Sequence, residues 1–236
     1  MINPAGVVAA LHWDTVVADL EQFGLSDMGK VVDPTQCAEL VALYDHDELF
    51  RSTVNMGQHR FGQGEYRYFA APLPELVTQL RAAFWPHLLP VARDWAQRLG
   101  RTAPWPDTLE DWLAQCHNAG QNRPTPLLLR YGPGDWNALH RDLYGELVFP
   151  LQVIIGLDRP GQDYLGGELV VVEQRLRAQS RATTVAIGHG HAVVVTTAER
   201  PVAGGRGWTA APMRHGVSVV RDGRRHTLGL LFHDAT

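Results

Sequence analysis

The 236-residue sequence contains little cysteine, no long hydrophobic run and no excess of basic residues. Two cysteines, Cys37 and Cys116, are too few for a disulfide framework, so reduced thiols are expected. The absence of an apolar run of about 18 residues argues against a transmembrane helix. The N-terminus lacks the basic region of a signal peptide, which predicts a cytoplasmic protein. A formal net charge of −4 argues against coating of nucleic acid through bulk charge.

The remaining composition is that of a globular protein, with 45% hydrophobic and 19% charged residues. A chain of this length buries a sizeable core, so one domain over residues 1–236 is expected. It divides by pattern into a mostly helical N-terminal part, 1–123, and a β-rich core, 124–236. These features favour an enzyme or a binding module.

Helix signals are concentrated in the N-terminal part. Asp33 precedes a proline and an apolar helical period, which predicts a capped helix. A second helix begins near Pro74, and Pro86 and Pro90 are expected to kink or restart it. Asp107 is the predicted N-cap of a third, short helix.

Short β-rich runs separated by glycine-containing turns fill the second part. The runs are Leu127–Tyr131, Leu147–Leu157, Glu168–Glu173, Ala192–Thr197, Gly216–Val220 and His226–Phe232. Many short strands with such turns predict a sandwich, jelly roll or barrel. Asp222-Gly223, between the runs Val217–Val220 and His226–Leu231, predicts a local hairpin.

His140-Arg141-Asp142 is the first candidate for metal chemistry. On an extended strand, residues i and i+2 point to the same face, so His140 and Asp142 can address one ion. His215 lies about 75 residues downstream, after several predicted strands, and completes a two-histidine, one-carboxylate set. Such a set leaves open positions on a non-haem Fe(II). The alternative for His215 is a core histidine.

Arg225 and Thr227 share one face of the last predicted strand. A guanidinium beside a hydroxyl suits a carboxylate, through charge-assisted bonds from Arg and one bond from Thr. A surface strand residue is the alternative for Arg225. The three candidate metal ligands and Arg225 occur together in this order and spacing, which favours a metal site with an adjoining carboxylate-binding site.

These motifs, together with Gly166–Leu169, resemble the Fe(II)/2-oxoglutarate-dependent oxygenase superfamily. The resemblance implies an α+β fold, with a double-stranded β-helix (jelly roll) core beneath an N-terminal helical layer. It also implies Fe(II), 2-oxoglutarate and O₂ as reactants, with ascorbate as a stimulating reductant. The segment from Tyr131 to Asp142 is similar to the matching stretch of AlkB-type repair dioxygenases, which implies that Tyr131 contacts 2-oxoglutarate.

A more extensive resemblance runs from about residue 55 to the C-terminus. The matching segments are 59–69, 123–131, 173–181 and 214–218. They are similar to a prokaryotic oxygenase family described as acting by oxidative demethylation on damaged DNA. Two AlkB-type positions differ, since Leu129 stands where an asparagine is usual and Leu231 where a second arginine is usual. Both differences count against an alkylated base as substrate.

The predicted reaction couples decarboxylation of 2-oxoglutarate to hydroxylation or demethylation of a small molecule or amino acid. A DNA repair demethylase, a non-catalytic jelly-roll module and a cupin-type enzyme that does not use 2-oxoglutarate remain as alternatives. The net charge favours a small-molecule partner over nucleic acid, and no membrane partner is expected.

Further site residues are predicted from their positions. Gln152, on the strand after the triad pair, is a candidate to contact the co-substrate or support the triad. Loops commonly carry specificity, so the polar and aromatic segment 59–69 is expected to cover the active-site mouth. A basic run, Arg175, Arg177 and Arg181, is a candidate phosphate contact or a solvated loop. The candidate substrate contacts are Arg60, Tyr66, Trp136, Arg141, Tyr144 and Arg175.

Overall fold

The computed structural model describes residues 2–175, 178–205 and 207–236. The helices are α1 (Pro4–Ala9), α2 (Trp13–Phe23), α3 (Pro34–Ala42), α4 (Met56–His59), α5 (Glu75–Arg98) and α6 (Leu109–Asn118), with 3₁₀ turns at Leu43–Asp45 and Asp47–Leu49. The strands before the core are β1 (Leu25–Lys30), β2 (Phe50–Asn55), β3 (Gly62–Gln63) and β4 (Glu65–Phe69). The core strands are β5 (Leu127–Tyr131), β6 (Trp136–His140), β7 (Leu151–Gly156), β8 (Tyr164–Gly166), β9 (Leu169–Glu173), β10 (Arg181–Val185), β11 (His191–Thr196), β12 (Glu199–Gly204), β13 (Gly207–Val217), β14 (Val220–Gly223) and β15 (Arg225–Leu231).

Two antiparallel sheets form the core. The larger has the strand order β1-β11-β7-β15-β5-β4-β2, and the smaller has the order β10-β9-β13-β6-β3 with β12 paired to β13. Successive core strands pass back and forth between the sheets, so that β5, β7, β11 and β15 lie in one and β6, β9, β10 and β13 in the other. This is a double-stranded β-helix, which confirms the predicted fold class.

The alternation of side chains along β15 separates the core from the site. Leu228 and Leu230 belong to the hydrophobic cluster that joins the larger sheet to the helices. Arg225, Thr227 and Gly229 point to the opposite face and line a cavity between the sheets. Because both faces of this strand are covered, all seven of its residues are buried.

The helical layer is built around α5, which is continuous from Glu75 to Arg98 and includes Pro86 and Pro90. The expected restart is therefore wrong. Each internal proline destabilises a helix by about 3 kcal/mol. In α5 this cost is offset by the burial of Trp85, Leu88 and their neighbours, which pack the helix against the sheet. In the described residues, no helix is long and apolar enough to cross a membrane.

Other local expectations have mixed outcomes. Asp33 caps α3 in a complete capping box, as predicted. The N-cap of α6 is Thr108 instead of Asp107, because the helix begins at Leu109 and the Thr108 hydroxyl accepts a hydrogen bond from the Asp111 N–H. The hairpin at Asp222-Gly223 is wrong, since β14 pairs with β8 whereas β15 pairs with β5 and β7. Four strands, β1 to β4, also lie in the part expected to be mostly helical.

His233 is a titratable group in the core. It is fully buried, and its Nδ1 accepts a hydrogen bond from the Phe149 backbone N–H at 3.2 Å. Burial, with the nearby charge of Arg81, lowers the pKa of His233 from 6.5 to about 4. The folded protein therefore keeps this imidazole neutral at pH values where the unfolded chain protonates it.

We expect this histidine to make the free energy of unfolding depend on pH. Because folding lowers the pKa of His233, its contribution to the free energy of unfolding is fully present above about pH 6.5. This contribution, about 3 kcal/mol, is lost as the pH falls towards 4. The glutamine in His233→Gln does not titrate, so the free energy of unfolding of this variant should not show the decrease that is due to His233. Urea unfolding of both proteins between these pH values measures the difference. Parallel pH curves for the two proteins would contradict the assignment.

Candidate metal and co-substrate site

The three predicted ligands meet where β6 and β13 pair. His215 on β13 stands directly opposite His140, the last residue of β6, and Asp142 follows two residues later. The two imidazole centroids are 4.4 Å apart. One ligand atom from each of the three residues lies within 4.8 Å of the others. Two imidazoles and a carboxylate so placed fit a single non-haem Fe(II).

The electrostatics of Asp142 and His215 favour the forms that a metal needs. At His140 burial lowers the pKa, but the hydrogen bond and charge of Asp142 outweigh it and raise the pKa while no cation is bound. Burial alone would raise the pKa of Asp142, but the neighbouring His215 and His140 outweigh it and hold the pKa well below its usual value. Burial lowers the pKa of His215 despite the nearby carboxylate. Neutral imidazole beside ionised carboxylate is the protonation state that binds a cation.

The ring of His140 is oriented by the backbone of its own strand. Its Nδ1 lies 2.8 Å from the carbonyl oxygen of Ala138, which makes Nδ1 the donor, and Nε2 lies 3.4 Å from Asp142 Oδ1. A hydrogen bond at one ring nitrogen fixes the tautomer and leaves the other nitrogen for the metal. The lone pair of Nε2 therefore faces the carboxylate side of the site.

Two side chains hold the Asp142 carboxylate from opposite sides. The Tyr144 hydroxyl donates to Oδ1 at 2.7 Å, and Gln152 Nε2 donates to Oδ2 at 2.8 Å. The sequence singled out both residues, with Tyr144 at the substrate mouth and Gln152 at the co-substrate or as a support of the triad. Their hydrogen bonds make both of them positioning residues for the metal ligand. One sequence signal marks Gln152, a polar residue within the otherwise apolar strand β7.

Replacing Tyr144 with Phe should weaken metal binding without removing a ligand. We expect the dissociation constant for Mn(II), measured by anaerobic titration, to rise about tenfold, because supports of metal ligands are worth about 10–100-fold in affinity. Tyr44→Phe is the matched control, since its hydroxyl donates at 2.9 Å to Glu65, which is not a ligand. Equal constants for the Tyr144→Phe and Tyr44→Phe variants would show that Asp142 does not depend on this hydrogen bond.

Arg225 lies deep in the same cavity, on β15. It is 1% exposed, and within the described part of the chain its Nε and Nη1 have no hydrogen-bond partner. Thr227 is its neighbour on the same face, and Tyr131 is its cross-strand partner on β5. Gly167 gives it room, since a Cβ there would lie 2.8 Å from Arg225 Cδ. A buried guanidinium with unpaired donors fits an anionic ligand.

Asn137 is a site residue that the sequence analysis missed. It lies on β6, and its Nδ2 donates to the Tyr131 hydroxyl at 3.3 Å. Burial raises the pKa of Tyr131 to about 12, so this hydroxyl stays protonated and can donate. No sequence signal marks Asn137, because its role depends on β5 and β6 lying face to face across the barrel.

One cavity of about 370 Å³ joins the triad to Arg225. Its walls include the apolar residues Leu127, Leu129, Ile154, Leu169, Val217 and Leu231. Of the predicted substrate contacts, Arg60, Tyr66, Arg141 and Tyr144 line it. Trp136 is not in its lining and is 39% exposed. Arg175 is also outside the lining and pairs with Glu173, whereas Arg177 lies outside the described residues.

Comparison with known proteins agrees with this geometry. A family described as an oxygenase catalysing oxidative methylation of damaged DNA matches residues 64–235. An uncharacterised protein of Mycobacterium tuberculosis strain H37Rv is 59% identical over 167 residues, which cover 71% of this chain and 72% of that protein.

Three solved structures share the fold at low sequence identity. A prolyl hydroxylase from Trichoplax adhaerens, in complex with a hypoxia inducible factor peptide, has a TM-score of 0.58 and 14% identity, covering 93% of this chain and 87% of its own. An oxidoreductase of the 2OG-Fe(II) oxygenase family from Burkholderia pseudomallei has a TM-score of 0.54 and 18% identity, and the match covers 95% of this chain and 93% of that protein. A prolyl-4-hydroxylase from Pseudomonas putida has a TM-score of 0.53 and 16% identity, and the match covers 95% of this chain and 99% of that protein. The chain therefore belongs to this oxygenase family, with the fold of the 2OG-Fe(II) enzymes and the ligand set of a non-haem iron dioxygenase.

Proposed function

We propose that this dioxygenase couples the decarboxylation of 2-oxoglutarate to hydroxylation or oxidative demethylation of a small molecule or amino acid. The observation that carries the proposal is a single cavity with a complete ligand triad and a buried arginine whose Nε and Nη1 have no hydrogen-bond partner in the described part of the chain. When bound, Fe(II) and 2-oxoglutarate supply the chemistry, in which O₂ is consumed, succinate and CO₂ are released and oxygen enters a C–H bond of the substrate.

The chain's own residues would bind and orient these partners. His140, Asp142 and His215 would hold the metal. Arg225 and Thr227 would hold the far carboxylate of 2-oxoglutarate through charge-assisted hydrogen bonds, which suit a planar guanidinium.

Tyr131 would donate to the same carboxylate, since its hydroxyl is protonated and held by Asn137. The apolar walls of the cavity, with Leu129 and Ile154 among them, would keep water from the reacting groups.

The size of the cavity supports a small substrate. At about 370 Å³ it lies near the lower end of ligand pockets, which span roughly 300–1,000 Å³. It must receive both 2-oxoglutarate and the reacting part of the substrate. The walls at Leu129 and Leu231 offer apolar contact and no hydrogen bonds to a base edge.

A DNA repair demethylase is the second candidate, because the matching family is described by its action on damaged DNA. A single extruded base is the only part of DNA that a cavity of this size could receive. Binding through phosphates would make the affinity for single-stranded DNA fall steeply with salt.

The test is succinate formation with Fe(II), 2-oxoglutarate and ascorbate across a panel of amino acids, metabolites, alkylated nucleobases and methylated single-stranded DNA. We expect slow formation without substrate and stimulation by members of the small-molecule set. Stimulation by methylated DNA alone, with affinity that falls from about 50 to about 200 mM salt, would favour the repair enzyme. No succinate under any condition would indicate a non-catalytic module.

A further inference from the structure

The charged groups of the cavity do not balance once its partners are in place. Among the described residues, four charged side chains line it, namely Arg60, Arg141, Asp142 and Arg225. If the proposed function is correct, the doubly positive metal and Arg225 offset Asp142 and the two carboxylates of 2-oxoglutarate. Arg60 and Arg141 then remain as two uncompensated positive charges in a chain whose net charge is −4.

Neither of these two guanidinium groups has a partner in the part of the chain that the structure describes. Among the described residues, the side chains of Arg60 and Arg141 form no hydrogen bond, ion pair or cation–π contact, and both residues are exposed. Arg175 and Arg181, by contrast, lie outside the cavity and pair with Glu173. The positive charge at the cavity mouth is therefore available to a ligand.

The backbone fixes where Arg60 stands. It ends α4 in the left-handed conformation, with φ of 59°, which is uncommon for a residue other than glycine. The next residue, Phe61, is bonded on both sides, since its N–H donates to Met56 O at 3.0 Å and its carbonyl accepts from Ala138 N–H at 2.8 Å. These bonds tie the segment to β6, the strand that carries His140. Strained backbone held in this way is found at binding sites.

Arg141 reaches the mouth from the metal side. It lies between His140 and Asp142 in the chain, so its position is fixed by the two ligands that flank it. Apolar side chains accompany the arginines, since Phe61 is 48% exposed and Leu139 is 44% exposed, and both line the cavity. The mouth thus presents positive charge beside apolar surface.

We infer that the primary substrate is a small molecule with an acidic group, a carboxylate or a phosphate monoester, joined to an apolar body. Arg60 and Arg141 bind the acidic group, and Phe61 and Leu139 contact the apolar part. Arginine suits both acids because its planar fork matches their oxygen atoms. The local positive field of two guanidinium groups also draws anions to the cavity. This inference rests on the proposed function and narrows its substrate class.

The test uses the protein loaded with Mn(II) and saturating 2-oxoglutarate under nitrogen, so that Arg225 is already occupied. The probes are two matched pairs, hexanoate with hexanamide and hexyl phosphate with 1-hexanol. Calorimetry gives each dissociation constant, and relaxation of the probe protons by Mn(II) reports binding beside the metal. The two pairs distinguish a carboxylate from a phosphate ester.

We expect at least one anionic probe to bind about tenfold or more tightly than its neutral partner, the range of a charge-assisted hydrogen bond. The preference should fall with added NaCl. Arg60→Gln and Arg141→Gln should each remove most of it. Arg214→Gln makes the same charge change on β13, outside the cavity lining, and should leave the preference intact.

Equal affinity within both pairs, which includes the absence of measurable binding, would overturn the inference. So would a preference that survives both substitutions. A methylated single-stranded oligonucleotide that binds through Arg60 and Arg141 while the small anions do not would also overturn it, in favour of DNA. Titration of 2-oxoglutarate into each Mn(II)-loaded protein distinguishes failure of this inference from failure of the proposed function. If the wild-type protein does not bind 2-oxoglutarate, the proposed function itself is contradicted.

Discussion

Asp142→Ala is expected to reduce Fe(II)-dependent succinate formation by at least about 100-fold, because loss of a ligand should exceed the ~10–100-fold cost of losing a ligand's support. The substitution removes the only negative charge among the three ligands and leaves two neutral imidazoles. It also frees Tyr144 and Gln152, which donate to this carboxylate. The measurements are succinate yield and the Mn(II) dissociation constant.

The fold should survive this change, since Asp142 lies after the end of β6 and outside every strand. Urea unfolding checks that point. Asp27→Ala is a suitable control, because Asp27 is also a carboxylate beside a histidine, 3.3 Å from His191 Nδ1, but lies on β1 away from the cavity. Succinate formation at the wild-type rate in Asp142→Ala would remove this residue from the metal site.

Arg225→Gln is expected to raise the 2-oxoglutarate concentration needed for half-maximal rate by about 100-fold. A hydrogen bond between charged groups contributes roughly 1.5–3 kcal/mol, and a guanidinium makes two in parallel. Arg225→Lys keeps the charge without the fork and should recover only part of the affinity. Steady-state kinetics against 2-oxoglutarate gives these values for all three proteins.

The same substitution has an expected signature in stability. Without 2-oxoglutarate, Arg225→Gln should be no less stable than the wild type, because it removes a buried charge whose Nε and Nη1 are unpaired. With Mn(II) and 2-oxoglutarate at about 100 times its dissociation constant, the wild type should gain about 2.7 kcal/mol. At this same concentration the variant should gain little. Equal stabilisation of both proteins would mean that the carboxylate is bound elsewhere.

The sequence was sufficient for the residues whose roles follow from local spacing. His140 and Asp142 are two positions apart, Arg225 and Thr227 likewise, and His215 follows after enough strands to cross the barrel. The register then brings His215 opposite His140. The capping box at Asp33 is local in the same sense.

Features that depend on tertiary packing escaped the sequence analysis. The hydrogen bonds of Tyr144 to Asp142 and of Asn137 to Tyr131 join residues close in sequence, but they depend on side chains that meet inside a closed barrel. The hydrogen bond of Gln152 to Asp142 is one of the two roles predicted for that residue. The Asp222-Gly223 turn has hairpin chemistry, but its two strands find partners in β8 and in β5 and β7 instead of each other. Tertiary packing likewise carries α5 through two prolines.

His140, Asp142 and His215 would hold the Fe(II) and Arg225 would anchor 2-oxoglutarate, and this arrangement would support the decarboxylation of 2-oxoglutarate. Quantifying 2-oxoglutarate consumed, O₂ consumed and succinate formed in one reaction is its most direct test. We expect equal amounts of all three in the wild type, none without Fe(II), and at least about 100-fold less succinate with Asp142→Ala. Succinate that forms without added iron, or at an undiminished rate in Asp142→Ala, would contradict this arrangement.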